Sequence, residues 1–245
     1  MKARWFLLLA AGVFMGTVGL APAQPKVAAD FKKVGGVVKM DKAKDGNITS
    51  LNLSSDKVTD EALKPLKDLA SLQKLIISSP KVSDAGLAGL KNLTKLTDLD
   101  LHGTPITDAT LAQVKSLTAL KTLDLSGTKV TAAGLANLKD LTKLQALMLN
   151  NIEIGDAGVQ HLKGLTGLQK LYLYRSKVGD AGLAQLKGLT KLEMLDLGST
   201  EVTDKGMAQL KPLAKLKTLS VKETGVTDAG AKALTDAIPD VDVVK

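Results

Sequence analysis

The chain has 245 residues, a formal net charge of +8 and no cysteine. That length allows one sizeable domain or two small ones, and the missing cysteine excludes disulfides, thiolate metal sites and a cysteine nucleophile. Aromatic residues are scarce: beyond Trp5, Phe6 and Phe14 only Phe31, Tyr172 and Tyr174 remain, too few for the stacking surfaces of single-strand nucleic-acid binders.

The chain opens with the anatomy of a secretory signal peptide. A short basic start, MKAR, is followed by the uncharged apolar run WFLLLAAGVFMGTVGLA and by the small-x-small triplet APA before Gln24. The predicted cut falls between Ala23 and Gln24 and removes residues 1–23. The alternative is a retained anchor, for which the run is short against the ~20 apolar residues of a spanning helix. No later stretch is apolar enough to cross a membrane. The mature chain is expected to be secreted or periplasmic.

Residues 24–47 read as a cap. VAADFKKV suits a short helix, and GGVVKMDKAKDGNITSLNL suits a hairpin turning near Asp45–Gly46. Phe31 is expected to point inward and shield the residues that begin at Ile48. DKAKDG imitates a calcium loop, but Ala43 stands at the middle ligand position and no glutamate closes the loop.

From Ile48 onward the pattern L-x-x-L-x-L repeats eight times at an unbroken spacing of 24 residues, from Ile48, Leu51 and Leu53 to Leu216, Leu219 and Val221. Such a period takes precedence over any local reading. Within a copy, Leu-x-Leu alternates as a strand does. A turn follows, then Thr-Asp or Gly-Asp as a helix start, then leucines three apart, as at Leu183, Leu186 and Leu189, which form one stripe of a short helix. One copy buries too few aliphatic side chains to offset the entropy of ordering it, so copies must stack. Strands stack about 4.8 Å apart and helices about 8–10 Å apart. The difference curves the stack, with strands on the inside. The expected architecture is α/β: a right-handed solenoid of eight 24-residue strand-helix repeats over residues 48–237, with a parallel concave sheet and an N-terminal capping hairpin. AIPDVDVV over 238–245 reads as a truncated capping strand, Val243 sharing the register of Leu219.

These eight matches resemble a leucine-rich repeat protein, and the strand-plus-helix copy with Asp-Ala-Gly-Leu at the helix start resembles the ribonuclease-inhibitor-like class. The resemblance implies a horseshoe that binds protein, and the cysteine-free ends are similar to bacterial secreted types. The sequence departs from the family after each strand. Where the family usually has asparagine or cysteine, this chain has Thr104, Thr128, Thr200, Thr224, Ser176 and Asp56, with Pro80 and Ile152 as exceptions. A hydroxyl can still bond the turn's backbone; Pro80 and Ile152 cannot.

Removing Lys2 and Arg4 leaves the chain basic by about six charges. The periodicity explains where many of the individual charges fall. Asp60, Asp84, Asp108, Asp156, Asp180, Asp204 and Asp228 fall in one column at the helix starts, and Lys67, Lys91, Lys115, Lys139, Lys163, Lys187 and Lys211 in another at the helix ends. Both complement the helix dipole. With arginine nearly absent, nucleic acid is not the expected partner.

The informative positions are those pointing outward from each strand. The first column is Ser50, Lys74, Asp98, Thr122, Ala146, Lys170, Met194 and Thr218. The second is Asn52, Ile76, Asp100, Asp124, Met148, Tyr172, Asp196 and Ser220. The third is Ser54, Ser78, His102, Ser126, Asn150, Tyr174, Gly198 and Lys222. Tyr172 and Tyr174 share a face, Met148 precedes them in the neighbouring strand, and Arg175, the single arginine after position 4, follows at once. Tyr, Met and Arg are favoured in interface cores. Beside them lie Asp98, Asp100, His102 and Asp124, with Asp196 beyond.

The expected function is a non-catalytic module that binds a protein partner on this face through Met148, Tyr172, Tyr174, Arg175, Asp98, Asp100, His102, Asp124 and Asp196, with no cofactor. Cell-envelope or extracellular polysaccharide is the alternative partner, because tyrosines on a sheet can stack on sugar rings. A hydrolase using His102 with Asp98, Asp100 and Asp124 is a weaker alternative, since one histidine with carboxylates is a poor ligand or catalytic set and no strained nucleophile turn is visible.

Overall fold

A computed structural model describes Phe31 and residues 37–245. The predicted signal peptide, and the predicted helix around Phe31 apart from that residue, lie outside the described residues. Ten strands form one sheet in strict chain order: β1 (Val37–Lys42), β2 (Ile48–Ser54), β3 (Lys74–Ser78), β4 (Asp98–Asp100), β5 (Thr122–Asp124), β6 (Ala146–Met148), β7 (Lys170–Tyr172), β8 (Met194–Asp196), β9 (Thr218–Ser220) and β10 (Asp242–Val244). β1 runs antiparallel to β2, pairing Val37 with Ser54 and Met40 with Leu51. Every later neighbour is parallel. The register advances by one period at each step, Leu51–Leu75–Leu99–Leu123–Leu147–Leu171–Leu195–Leu219. Val243 pairs with Leu219, as the final AIPDVDVV predicts.

A parallel sheet whose connections all pass behind it leaves its other face open. Behind it lie α1 (Asp60–Leu63), α2 (Asp108–Val114), α3 (Gly155–Val159), α4 (Asp180–Leu186), α5 (Asp204–Met207) and α6 (Asp228–Thr235), with 3₁₀ turns at Lys64–Asp68, Leu90–Asn92, Gly134–Leu138, Gln160–Leu162 and Ala208–Leu210. The expectation of one helix per copy therefore holds only in part. Between β3 and β4 there is no α-helix, and between β5 and β6 the helical element is 3₁₀ alone. The leucine spacing explains this: residues three apart are eclipsed on a 3₁₀ turn, so Leu135, Leu138 and Leu141 all face the core without α geometry. All three are fully buried, as are the inward leucines of the strands and Phe31, in one continuous apolar core.

The turns after the strands work as the hydroxyl pattern predicts. Thr104, Thr128, Ser176, Thr200 and Thr224 each donate to the carbonyl three residues earlier, at 2.5–2.7 Å. The two exceptions differ from one another. Next to Pro80, buried Ser79 donates instead to the Val58 carbonyl of the preceding repeat, at 2.7 Å. Ile152 is simply buried, 3% exposed, in place of a hydroxyl.

The aspartate column does more than complement helix dipoles. The Asp60 carboxylate accepts from the Ser83 amide and hydroxyl, Asp84 from those of Thr107 and Thr110, Asp108 from Thr131, Asp180 from Thr203 and Asp204 from Thr227. Among the described residues Asp156 accepts only the Gly179 amide, at 2.7 Å. Each carboxylate thus clips its repeat to the next. At position 132 the column carries alanine, so the seam between the repeats of β5 and β6 has no clip of this kind.

Candidate binding face on the sheet

Because strands stack more tightly than the elements behind them, the open sheet face is the inner wall of the curve. The second outward column forms a single paired row, Ile76–Asp100–Asp124–Met148–Tyr172–Asp196. Asp98 lies one row away, between Lys74 and Thr122. Ser54 and Ser78 of the third column still pair within β2 and β3, but from β4 onward this column falls just past the strand ends, which is shorter strand than its alternation predicts. Backbone bonds between repeats nevertheless continue there, from Asn151 N to Tyr174 O (2.8 Å) and from Arg175 N to Gly198 O (2.9 Å). All nine sequence-predicted site residues therefore stand on one face or at its lip.

The acidic part is held by local bonds. Asp100 Oδ1 accepts the His102 amide at 3.0 Å and faces His102 Nδ1 at 2.7 Å. Asp124 Oδ1 accepts the Ser126 amide at 2.8 Å, and Asp196 Oδ1 the Gly198 amide at 3.0 Å. Asp98 accepts from the Thr97 hydroxyl at 2.7 Å. Among the described residues none of these four carboxylates forms an ion pair with a lysine or arginine. One ligand atom from each of Asp100, His102 and Asp124 lies within 4.8 Å of the others. Such a set can approach one divalent cation, but with a single imidazole and no enclosure it is a weak trap.

The aromatic part is more tightly built. Tyr172 is half-buried, and its hydroxyl donates to Met194 Sδ at 2.8 Å. The Tyr174 amide donates to Asn150 Oδ1 at 3.0 Å, and its ring lies against Gly198: a Cβ there would come within 2.9 Å of Tyr174 Cδ2. Arg175 holds its guanidinium carbon 5.0 Å from the centre of the Tyr174 ring. That is cation–π distance. Its backbone is left-handed, φ 53°, like Gly103, Gly127, Asn151, Ser199 and Glu223 at the same point of other repeats. Sequence reasoning missed Met194, Asn150 and Gly198 as supports of the tyrosines. Gly198 carried a signal, being the single glycine in its column.

A cavity of about 140 Å³ opens on this face, among Lys74, Ile76, Asp98, Asp100, Asp124 and Met148. A larger one, about 340 Å³, lies behind the sheet where Ala85, Gly86, Ala88 and Gly89 leave little side chain over α1. Asp60, Glu61, Lys64 and Lys67 also line it, but Glu61 pairs with Lys64 at 2.7 Å and Asp60 accepts from Ser83, so the smaller cavity, with carboxylates unpaired by lysine or arginine, is the better candidate despite its size.

Sheet, turns and register define a leucine-rich repeat fold. A family profile described as Leucine Rich repeat matches residues 116–139, 188–210 and 213–234. Among solved structures the chain is similar to internalin C2 of Listeria monocytogenes, with 26% identity over 90% of this chain and 92% of that one, TM-score 0.66. It is also similar to an internalin (inlF) of the same organism, with 20% identity over 89% of this chain and 66% of that one, TM-score 0.64. A third similar structure is the ectodomain of the Arabidopsis receptor kinase HAESA, in complex with an extended IDA peptide hormone, with 15% identity and TM-score 0.63. The alignment covers 90% of this chain and 41% of that one, so the chain spans less than two thirds of both the inlF and HAESA chains. No curated protein matches it. Among the described residues, no helix is long and apolar enough to cross a membrane.

Proposed function

We propose that this protein is a non-catalytic binding module that presents the open sheet face to a protein partner outside the cytoplasm. Tyr172, Tyr174, Met148 and Arg175 form the anchor, and Asp100 and Asp124 steer a basic feature toward it. The observation that carries this reading is the supported tyrosine pair: Tyr174 lies against Gly198 with Arg175 over its ring, and Tyr172 is tied to Met194. Rigid aromatics with a neighbouring arginine bind at low entropic cost. The HAESA ectodomain, of like fold, was crystallised with a peptide hormone, which adds support by analogy of fold alone.

In the same reading residues 1–23 leave as a signal peptide, the 24–47 segment with Phe31 and β1 covers the first of eight repeats, and 238–245 covers the last. Identification by proximity cross-linking from position 172 in the native host, combined with the Tyr172→Ala/Tyr174→Ala double variant, tests the assignment. The captured partner should bind the variant more weakly by over about 1 kcal/mol, with the melting temperature nearly unchanged. Undiminished binding removes the anchor. A glycan array that responds while protein capture stays empty replaces the protein partner with a polysaccharide.

A further inference from the structure

Across four adjacent strands the row reads Ile76–Asp100–Asp124–Met148: apolar, acid, acid, apolar. Like charges directly opposite on neighbouring strands are destabilising, and among the described residues no lysine or arginine pairs with either carboxylate, the His102 imidazole against Asp100 being the one ionisable partner. Each carboxylate spends its Oδ1 on local donors, and no donor among the described residues reaches either Oδ2. The cavity these residues line, about 140 Å³ in volume, also takes in Asp98 and Lys74, cross-strand neighbours that add one charge of each sign and leave the Asp100–Asp124 pair as its net charge. The remainder of the chain is basic, so this patch runs against the overall charge.

Resting on the protein-binding reading above, we infer that this cavity receives one cationic side chain of an extended polypeptide segment of the partner. Its alkyl stem lies between Ile76 and Met148, and its head faces Asp100 and Asp124. Lysine and arginine both carry an apolar stem beneath a charged end. Arginine fits better, because its fork reaches two acceptors at once, and the two carboxylates stand on adjacent strands. The register then sets the partner's spacing. Tyr172 lies two strands beyond Asp124, about 10 Å at ~4.8 Å per strand, and an extended segment crossing the strands rises ~3.3 Å per residue. A basic residue at one position therefore places its third successor over the Tyr172–Tyr174 anchor, where an apolar or aromatic residue fits.

A library of random dodecapeptides, panned against the full chain in the presence of EDTA, tests this. The expected result is enrichment of arginine or lysine at one position and of an apolar residue three positions later. In the Asp100→Asn/Asp124→Asn variant the basic preference disappears, a selected peptide binds about tenfold more weakly, and the apolar preference persists. Replacing the basic residue of that peptide by glutamate against the unaltered chain gives the same loss, so the test stands even where the variant folds poorly. Enriched peptides without a basic preference, or a basic preference that survives in the variant, overturn the cavity assignment and leave the protein-binding reading intact. A preference seen only when a divalent cation is supplied overturns it in favour of a metal at Asp100, His102 and Asp124. A library that yields no enriched peptide overturns both readings.

Discussion

The carboxylate of Asp204 occupies the space into which residue 230, one repeat later, would project a Cβ, and residue 230 is glycine. The same relation joins Asp60 to Gly86, Asp108 to Gly134, Asp156 to Gly182 and Asp180 to Gly206. In the repeated Asp-Ala-Gly, the aspartate serves the following repeat and the glycine makes room for the preceding one. Where the glycine is replaced by Thr110, its hydroxyl bonds the Asp84 carboxylate instead.

A double-mutant cycle should reveal this coupling. Gly230→Ala alone should destabilise, because the three nearest atoms to the added methyl all belong to Asp204. Asp204→Ala alone loses the Thr227 bonds. In the combined variant the clash is gone and alanine suits the α6 helix better than glycine by roughly 1 kcal/mol, so the double variant should be more stable than additivity allows by about 1 kcal/mol or more. Urea unfolding measures it, and additive losses would refute the relation.

Acid should loosen the clips. Burial pushes the Asp84 carboxyl up, but the hydroxyls and amides of Thr110 and Thr107 together outweigh it and hold it below the usual aspartate value. The Thr227 hydroxyl and amide hold Asp204 low as well. A carboxyl depressed in the folded state contributes stability above its unfolded pKa, about 3.9, and that contribution is lost as pH falls through the folded value. Urea midpoints should be flat between about pH 5 and 7 and fall below about pH 4. Asp84→Asn should flatten part of the fall; an unchanged slope would exclude Asp84 as a contributor.

The seam without a clip should open first. Ala132 offers no carboxylate to the next repeat, and Gly155, with φ 55°, bonds Ser176 O through its amide instead. Amides of Gly155–Val159 should exchange with deuterium faster than those of Asp204–Met207, which begin beside a clipped Thr203. Equal protection would mean that buried Ile152 and Ile154 compensate fully.

In the proposed binding role, Arg175 should set binding against stability. A non-glycine residue in the left-handed region costs about 1 kcal/mol or more, so Arg175→Gly should raise stability by about 1 kcal/mol while weakening the captured partner, because the guanidinium over Tyr174 is lost. A variant that gains stability and binds unchanged would leave Arg175 outside the site.

Much of the fold was legible because a solenoid makes distant contacts periodic. Once Leu75 and Leu99 are seen one period apart, their pairing follows, and so do the open face and the column shared by Asp100, Asp124, Met148 and Tyr172. Even Val243, in a segment without the full pattern, fell into register with Leu219. The hydroxyl turns were equally readable, since Thr104 bonds a carbonyl only three residues away.

What the sequence did not disclose are relations between chemically different positions of successive repeats. Aspartate at a helix start satisfies a dipole argument by itself, so nothing local revealed that Asp180 bonds Thr203 and displaces any side chain at Gly206. Likewise the leucine period alone did not distinguish α from 3₁₀ behind the sheet, because either geometry buries residues three apart. The covalent order determined which residues share a row; only the stacking of one repeat on the next decided the distances between rows, and those distances set which carboxylates are clipped and which, like Asp100 and Asp124, are left facing outward.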